Sequence, residues 1–166
     1  MIEKEIVIDM KEIIDDIKEK VNNDRKVILK GEGVSMSPFI TDKDTLVLNK
    51  LPSKIKIGEV YLYGRIGGGY AIHRVYAVKK DLVLMLGDAQ LYIEKVDKCR
   101  LIAKVVSVEK PNEIINCNSF FVRAKCAFRM KNRIYKIKIK SFFKKIFVKL
   151  LGLLSRVKRK IIKKDK

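Results

Sequence analysis

The stretch EVYLYGRIGGGYAIHRVYAV, residues 59–78, decides how the chain folds. Two runs rich in Val, Ile and Tyr flank the glycines at residues 67–69, a pattern typical of a strand, a flexible loop and a second strand. Alternation along the second run places Ile72 and Arg74 on one face of its strand and His73 on the other. His73 is the only histidine in the chain. The stretch predicts an antiparallel strand pair that carries this histidine on one face.

Further strand-like runs lie on both sides of this pair. They are rich in Val, Ile and Leu and are bounded by Gly, Pro, Asp or Lys: KVILK (26–30), DTLVLNK (44–50), DLVLML (81–86) and LIAKVVSVE (101–109). Six short strands without intervening helices predict a mainly β domain over residues 26–109. Its expected form is a curled antiparallel sheet or a small barrel.

An N-terminal helix is predicted within residues 1–25. At residues 9–21 five apolar side chains share one face at helical spacing: Met10, Ile13, Ile14, Ile17 and Val21. Asp9 and Glu12 resemble a capping box, in which two side chains satisfy the first backbone N–H groups of a helix. The sequence NND at residues 22–24 is expected to end the helix as a turn.

The C-terminal part of the chain has a different pattern. Residues 110–140 show weak periodicity and are predicted to be a linker with some extended character. In residues 141–164 apolar side chains recur every three or four positions, and Lys and Arg fill the opposite side. This spacing predicts a basic amphipathic helix.

Charge is concentrated in this C-terminal part. The net charge is +19, and residues 123–166 hold 18 Lys and Arg against Asp165 alone. Such a segment favours an anionic partner. Phe and Leu on the apolar stripe of residues 141–164 indicate an anionic membrane surface. Nucleic acid is less favoured, because the aromatic residues are not interleaved with the basic ones as stacking platforms. In the other interpretation the helix packs on the domain and its lysines are merely solvated.

Several classes of protein are excluded by composition. The acidic, charged N-terminus does not resemble a signal peptide, and no run of 18 to 20 apolar residues could span a bilayer. A cytoplasmic location, peripheral at the membrane, is therefore expected. Cys99, Cys117 and Cys126 form no paired motif, so we expect neither a disulfide framework nor a zinc site. No cofactor is expected.

The stretch GEGVSMSPFI, residues 31–40, has the features of a site for nucleophilic catalysis. Its glycines permit unusual backbone conformations and close approach of a substrate, and Pro38 fixes the chain after Ser35. A serine hydroxyl is a poor nucleophile near neutral pH and needs an adjacent base. His73, on a strand, is the candidate general base.

Four short motifs follow one another over residues 26–109, about half of the chain: Gly33-Val34-Ser35-Met36-Ser37-Pro38, Gly58-Glu59-Val60, His73-Arg74-Val75 and Gly87-Asp88-Ala89. In order and spacing they resemble the peptidase domain of type I signal peptidases. This family belongs to a wider serine-peptidase group that includes the LexA-type self-cleaving repressors. The resemblance implies coiled antiparallel sheets and hydrolysis of a peptide bond through an acyl-enzyme. It also implies an extended peptide or protein substrate, such as a leader or signal-type peptide, with small residues before the cut.

The resemblance also implies roles for individual residues. Ser35 would be the nucleophile, and His73 stands where the commoner bacterial enzymes have a lysine base. The chain thus resembles the archaeal and endoplasmic-reticulum type, which uses histidine. Asp88 would support the site or orient the imidazole. The acid that histidine-type enzymes carry six residues later is Glu94 here, an alternative partner for His73.

The chain departs from the family pattern at several points. Gly33 replaces the usual serine or threonine, so the oxyanion would depend on backbone donors such as the Ser35 N–H. The N-terminal membrane anchor of the family is not evident, and the cationic helix at residues 141–164 is not part of the pattern. Gly33, and Glu94 at a position where an Asp is usual, motivate an alternative from the binding class: a weak or inactive member that binds a leader peptide at the membrane surface. A self-cleaving regulator is disfavoured, because the N-terminal helix leaves no room for a DNA-reading unit.

Overall fold

The computed structural model describes residues 10–136 together with residues 139 and 142. It contains an N-terminal helix, α1 (Met10–Asn22), and a second helix, α2, over residues 120–136. Eight strands lie between them: β1 (Val27–Lys30), β2 (Thr45–Asn49), β3 (Val60–Gly64), β4 (Tyr70–Val78), β5 (Leu82–Leu86), β6 (Glu94–Asp97), β7 (Leu101–Lys110) and β8 (Glu113–Asn116). The predicted mainly β class with helices at both ends is confirmed.

The strands form one antiparallel sheet. Their order is β1-β2-β7-β3-β4-β5-β6, and β8 pairs with β7. Each consecutive pair in the order is antiparallel. Within the described residues β1 and β6 are the two end strands and do not pair with each other. The sheet is therefore open, not closed into a barrel.

Strand alternation divides the buried side chains between two hydrophobic clusters. The larger cluster includes the buried face of α1; among its members are Ile14, Ile17, Val21, Val60, Leu62, Val105 and Val108. The smaller cluster consists of Tyr61, Tyr63, Val75, Val83, Met85, Val96 and Leu101. On β3, Val60 and Leu62 thus belong to one cluster and Tyr61 and Tyr63 to the other. The strand separates an aliphatic face from a face that carries two phenol groups.

Helix α1 forms where the apolar spacing predicts it. Ile14, Ile17 and Val21 are buried, while the charged side chains between them remain exposed. Asp9 of the predicted capping box lies outside the described residues. Asp24, after the helix, has a φ of 58°, a left-handed conformation that Asp tolerates in turns.

The region predicted as a linker, residues 110–140, contains β8 and α2. Contacts divide the chain into two compact units, Met1–Met130 and Lys131–Lys166, so the sheet and the first part of α2 belong to one unit. The basic helix predicted for residues 141–164 lies outside the described residues, except for Phe142. Among the described residues, no helix is both long and apolar enough to cross a bilayer.

Candidate active site

Ser35 lies in the loop between β1 and β2, and two glycines shape its surroundings. Gly33 has a φ of 75°, in the left-handed region that favours glycine. Gly87, after β5, packs so closely that a Cβ there would lie 2.6 Å from the Ser35 carbonyl oxygen. The Ala89 N–H donates a hydrogen bond of 2.8 Å to the same oxygen. The turn after β5 therefore fixes the backbone of the half-buried Ser35.

His73 lies within β4, and its side chain is fully buried. Strand register places it opposite Tyr61 of β3, on the face of the sheet that carries the smaller cluster. Its Nε2 atom lies 3.2 Å from Ser35 Oγ, although the two residues are 38 positions apart in the chain. This distance is within reach of a hydrogen bond, so the serine hydroxyl can donate its proton to the imidazole.

Tyr63 joins the other side of the imidazole to a carboxylate. Its hydroxyl donates to Glu94 Oε2 at 2.9 Å and lies 2.8 Å from His73 Nδ1. A phenol has only one proton to donate, so the proton of the second hydrogen bond comes from His73 Nδ1. The remaining nitrogen, Nε2, then carries a lone pair directed at Ser35. The hydrogen bonds therefore select the tautomer that a general base requires.

Arg65 holds Glu94 in place. Its Nη2 and Nε atoms donate to the two carboxylate oxygens at 2.8 and 3.1 Å, the bidentate geometry that orients a carboxylate most firmly. The same carboxylate lies 3.6 Å from His73 Nδ1. Burial, together with the hydrogen bond to Glu94, raises the pKa of Tyr63 well above its usual value. The phenol thus stays neutral and keeps its proton for Glu94.

The protonation state of His73 is set by its burial. Desolvation lowers the pKa of the imidazole below its ordinary value, because a buried ring disfavours the charged form. The negative charge of Glu94 opposes this effect, and the positive charge of Arg65 reinforces it. At neutral pH the ring is therefore uncharged and able to accept a proton.

The site thus combines a serine hydroxyl, a neutral histidine and an oriented carboxylate, as a serine hydrolase requires. A family model described as Peptidase S24-like matches residues 3–106. The chain belongs to the S24-like peptidase family. No curated protein and no solved structure matches the chain. Membership indicates a serine peptidase, a hydrolase, within the wider group of LexA-type and signal peptidases. The matched range of the S24-like domain includes Ser35, His73, Asp88 and Glu94.

Asp88 occupies a different position in the S24-like domain from the other three predicted site residues. Its carboxylate accepts hydrogen bonds from Arg74 Nε at 2.9 Å and from Arg74 Nη2 at 2.6 Å. Arg74 is almost fully buried, donates from Nη1 to the Gly58 carbonyl oxygen at 2.8 Å, and lies 4.3 Å from the centre of the Phe39 ring. These hydrogen bonds hold the Asp88 carboxylate against Arg74.

Arg74 also explains why the four sequence motifs occur together. It connects Gly58 of the second motif, its own position in the third and Asp88 of the fourth. The fourth motif in turn holds the Ser35 carbonyl of the first through Ala89. The motifs of the S24-like domain are therefore one contact network around Ser35.

Two residues of this site, Tyr63 and Arg65, were not predicted from the sequence. A signal for Tyr63 was present, because Tyr61 and Tyr63 alternate with aliphatic residues on β3 and share a face of the sheet. Antiparallel pairing with β4 then puts both phenol rings on the face of His73. The partner of Tyr63 across the sheet, Glu94, comes from β6, whose four residues EKVD gave no strand signal.

Proposed function

We propose that this S24-like domain is a serine endopeptidase that cleaves a leader or signal-type peptide through an acyl-enzyme. The observation that carries the proposal is the 3.2 Å approach of Ser35 Oγ to His73 Nε2, at the end of a hydrogen-bond chain that leaves this nitrogen free to accept. The resemblance to the histidine type of signal peptidase supports this choice of reaction and of substrate class.

The reaction begins when Ser35 Oγ attacks the carbonyl carbon of the scissile bond and His73 Nε2 takes the hydroxyl proton. His73 then gives this proton to the leaving amine, and the acyl group remains on Ser35. In the second half, His73 takes a proton from a water molecule, which attacks the acyl carbon. His73 then returns this proton to Ser35 Oγ as the acyl–oxygen bond breaks, which releases the new carboxyl group and restores the serine hydroxyl. Tyr63 and Glu94 position the ring and stabilise its positive charge.

The glycine at position 33 determines which groups can stabilise the oxyanion. With no hydroxyl at position 33, backbone N–H groups must stabilise the negative oxygen, and the N–H of Ser35 is the proposed donor. Since the contacts of Gly87 and Ala89 fix this backbone, the donor would be held in place before the substrate arrives.

The proposed cellular setting follows from the charge of the chain. A peptidase in the cytoplasm, held at an anionic membrane surface by the basic segment at residues 141–164, would meet a leader peptide near the membrane. Small residues before the cut and an extended substrate are the preferences that the family resemblance supports.

Labelling with a serine-reactive acylating probe tests the proposal directly. We expect Ser35-dependent labelling whose rate rises with pH, is half-maximal below pH 6.5, and levels off towards pH 8. Burial lowers the pKa of His73. The imidazole therefore becomes protonated, and stops acting as a base, only at pH values below the ordinary pKa of a histidine. The rate is measured by mass spectrometry between pH 5 and 8.

The matched control is Ser35→Ala, which should take up no probe at any pH. A folded wild-type protein that is not labelled would refute the peptidase proposal. A midpoint above pH 6.5 would refute the assignment of the buried His73 as the base.

Replacing Tyr63 with phenylalanine tests the role of the phenol. We expect the labelling rate to fall about 10- to 100-fold, part of the 10²–10⁴ that a positioned general base contributes. Without the hydroxyl, His73 Nδ1 loses the acceptor that selects its tautomer and stabilises the imidazolium. The pH midpoint of labelling should therefore move to still lower pH.

Tyr61→Phe is the control for this substitution. Tyr61 is also fully buried on β3 and also donates to a glutamate, Glu59 Oε2, at 2.6 Å. Its removal should change stability and leave both the labelling rate and the pH midpoint unchanged. Equal effects of the two substitutions on rate and midpoint would show that Tyr63 has only a structural role.

A further inference from the structure

Three phenylalanines project into solvent from the first part of α2, residues 120–130. Phe120, Phe121 and Phe128 are 69%, 81% and 67% exposed. At helical spacing positions 120, 121 and 128 fall on one face. The rings of Phe120 and Phe121 pack edge to face with their centres 5.8 Å apart. We call these three side chains the phenylalanine face. An exposed cluster of this kind indicates a binding surface.

The opposite side of this helical segment is already attached to the sheet domain. A Cβ on Gly58 would lie 2.8 Å from the Arg123 carbonyl oxygen, so the two backbones are in close contact. Arg123 Nη1 lies 4.0 Å from Glu59, and Met130 is buried. With this side occupied, the segment cannot rotate to bury the phenylalanine face.

Positively charged side chains lie on the same helical segment as the phenylalanine face. Lys125 and Arg129 are exposed on the same segment, and residues 120–130 contain no acidic residue. The remainder of the chain after residue 130 adds further Lys and Arg with Asp165 as its only acid. A partner that binds this surface must therefore have both an apolar part and negative charge.

We propose that the phenylalanine face is a docking surface for an anionic lipid bilayer. Aromatic rings enter the boundary between headgroups and acyl chains, and neighbouring lysine and arginine side chains contact lipid phosphates. Three exposed rings on one face of the helix favour a bilayer over RNA, which binds aromatic platforms separated by cations. This surface belongs to the described sheet domain and is distinct from the segment at residues 141–164. It would bring the domain itself to the membrane.

The absence of tryptophan from the chain allows a direct test. In the full-length protein, Phe128→Trp introduces a single tryptophan, on the phenylalanine face, whose emission is excited selectively over that of the tyrosines. Ile28→Trp is the matched control, because Ile28 on β1 is also 67% exposed. With vesicles of phosphatidylcholine and phosphatidylserine, we expect Phe128→Trp emission to shift to shorter wavelength and to be quenched by brominated acyl chains. Ile28→Trp emission should not change, and phosphatidylcholine alone should have little effect on either.

Vesicle co-sedimentation gives the energetic test. Replacing all three phenylalanines with serine should weaken partitioning about tenfold or more, because each ring loses its transfer from water to the bilayer. Lys125→Glu with Arg129→Glu should weaken it by about fivefold or more per charge on anionic vesicles only. The control Ile28→Ser should partition like the wild type. Circular dichroism checks that each variant is folded.

Each other outcome would overturn the proposal. A short emission wavelength in buffer that depends on protein concentration would indicate a second copy of the chain as the occupant. A short wavelength that does not depend on concentration would indicate that residues 143–166 cover the face. A response to RNA and not to vesicles, or unchanged partitioning of the serine variant, would also refute lipid binding. Serine labelling is measured without lipid, so these results leave the peptidase proposal separately testable.

Discussion

Replacing His73 with alanine is expected to lower the rate of Ser35 acylation and of peptide cleavage about 10⁴-fold or more. Without the imidazole, no group receives the proton of Ser35 Oγ, whose partner at 3.2 Å is Nε2. The serine hydroxyl would then react at the low rate of an unassisted alcohol. Probe labelling followed by mass spectrometry measures the first step, and a library of short peptides measures cleavage.

Two further variants complete this test: Ser35→Ala, and a double variant that combines Ser35→Ala with His73→Ala. Because nucleophile and base act as a unit, the double variant should be no slower than either single variant. Ser37→Ala is the control, since Ser37 lies in the same loop and its N–H donates to the Val34 carbonyl oxygen. It should be labelled like the wild type. Activity of His73→Ala near the wild-type rate would remove His73 from the mechanism.

Arg74→Met is expected to lower the free energy of unfolding by about 3 kcal/mol or more. The substitution keeps an unbranched side chain in the interior but leaves Asp88, which is 13% exposed, without its cationic partner. It also removes the donor to the Gly58 carbonyl oxygen. Urea denaturation followed by circular dichroism measures the change.

Lys20→Met provides the comparison for this loss. Lys20 forms an ion pair with Asp16 at 2.7 Å on the exposed side of α1, and such surface pairs contribute about 0.3–0.5 kcal/mol. Replacing a paired cation with methionine should therefore cost several times less at position 20. Similar losses at both positions would mean that Arg74 does not organise the site.

Much of the sheet could be predicted because most of its strands have a recognisable local sequence pattern. The six strands β1–β5 and β7 follow from alternation and β-branched residues, whereas β6 and β8 have four residues each, several of them charged or polar. Their strand conformation depends on pairing with β5 and β7, which no local pattern records. Helix α2 could not be predicted from the sequence either, because the aromatic residues of this segment lie on an exposed face of the helix and not on a buried one.

The candidate site was predictable to the extent that it depends on residue type. Ser35, His73 and Glu94 come together in the structure. The insertion of Tyr63 between His73 and Glu94 could not be read from spacing, because it depends on the register of three strands. The pairing of Asp88 with Arg74 depends on which face of β4 each side chain occupies, and the sequence alone left Asp88 and Glu94 as equal alternatives.

The dispersal of the site along the chain has a consequence for the newly made protein. The hairpin of β3 and β4 contributes Tyr63, Arg65 and His73, Glu94 comes from β6, and Ser35 is fixed only after the turn that follows β5 has packed against it. A partly folded chain therefore has a serine without a base or a base without a serine. Under the proposed mechanism, the nascent polypeptide cannot digest itself or its neighbours, and proteolytic competence begins only when folding is complete.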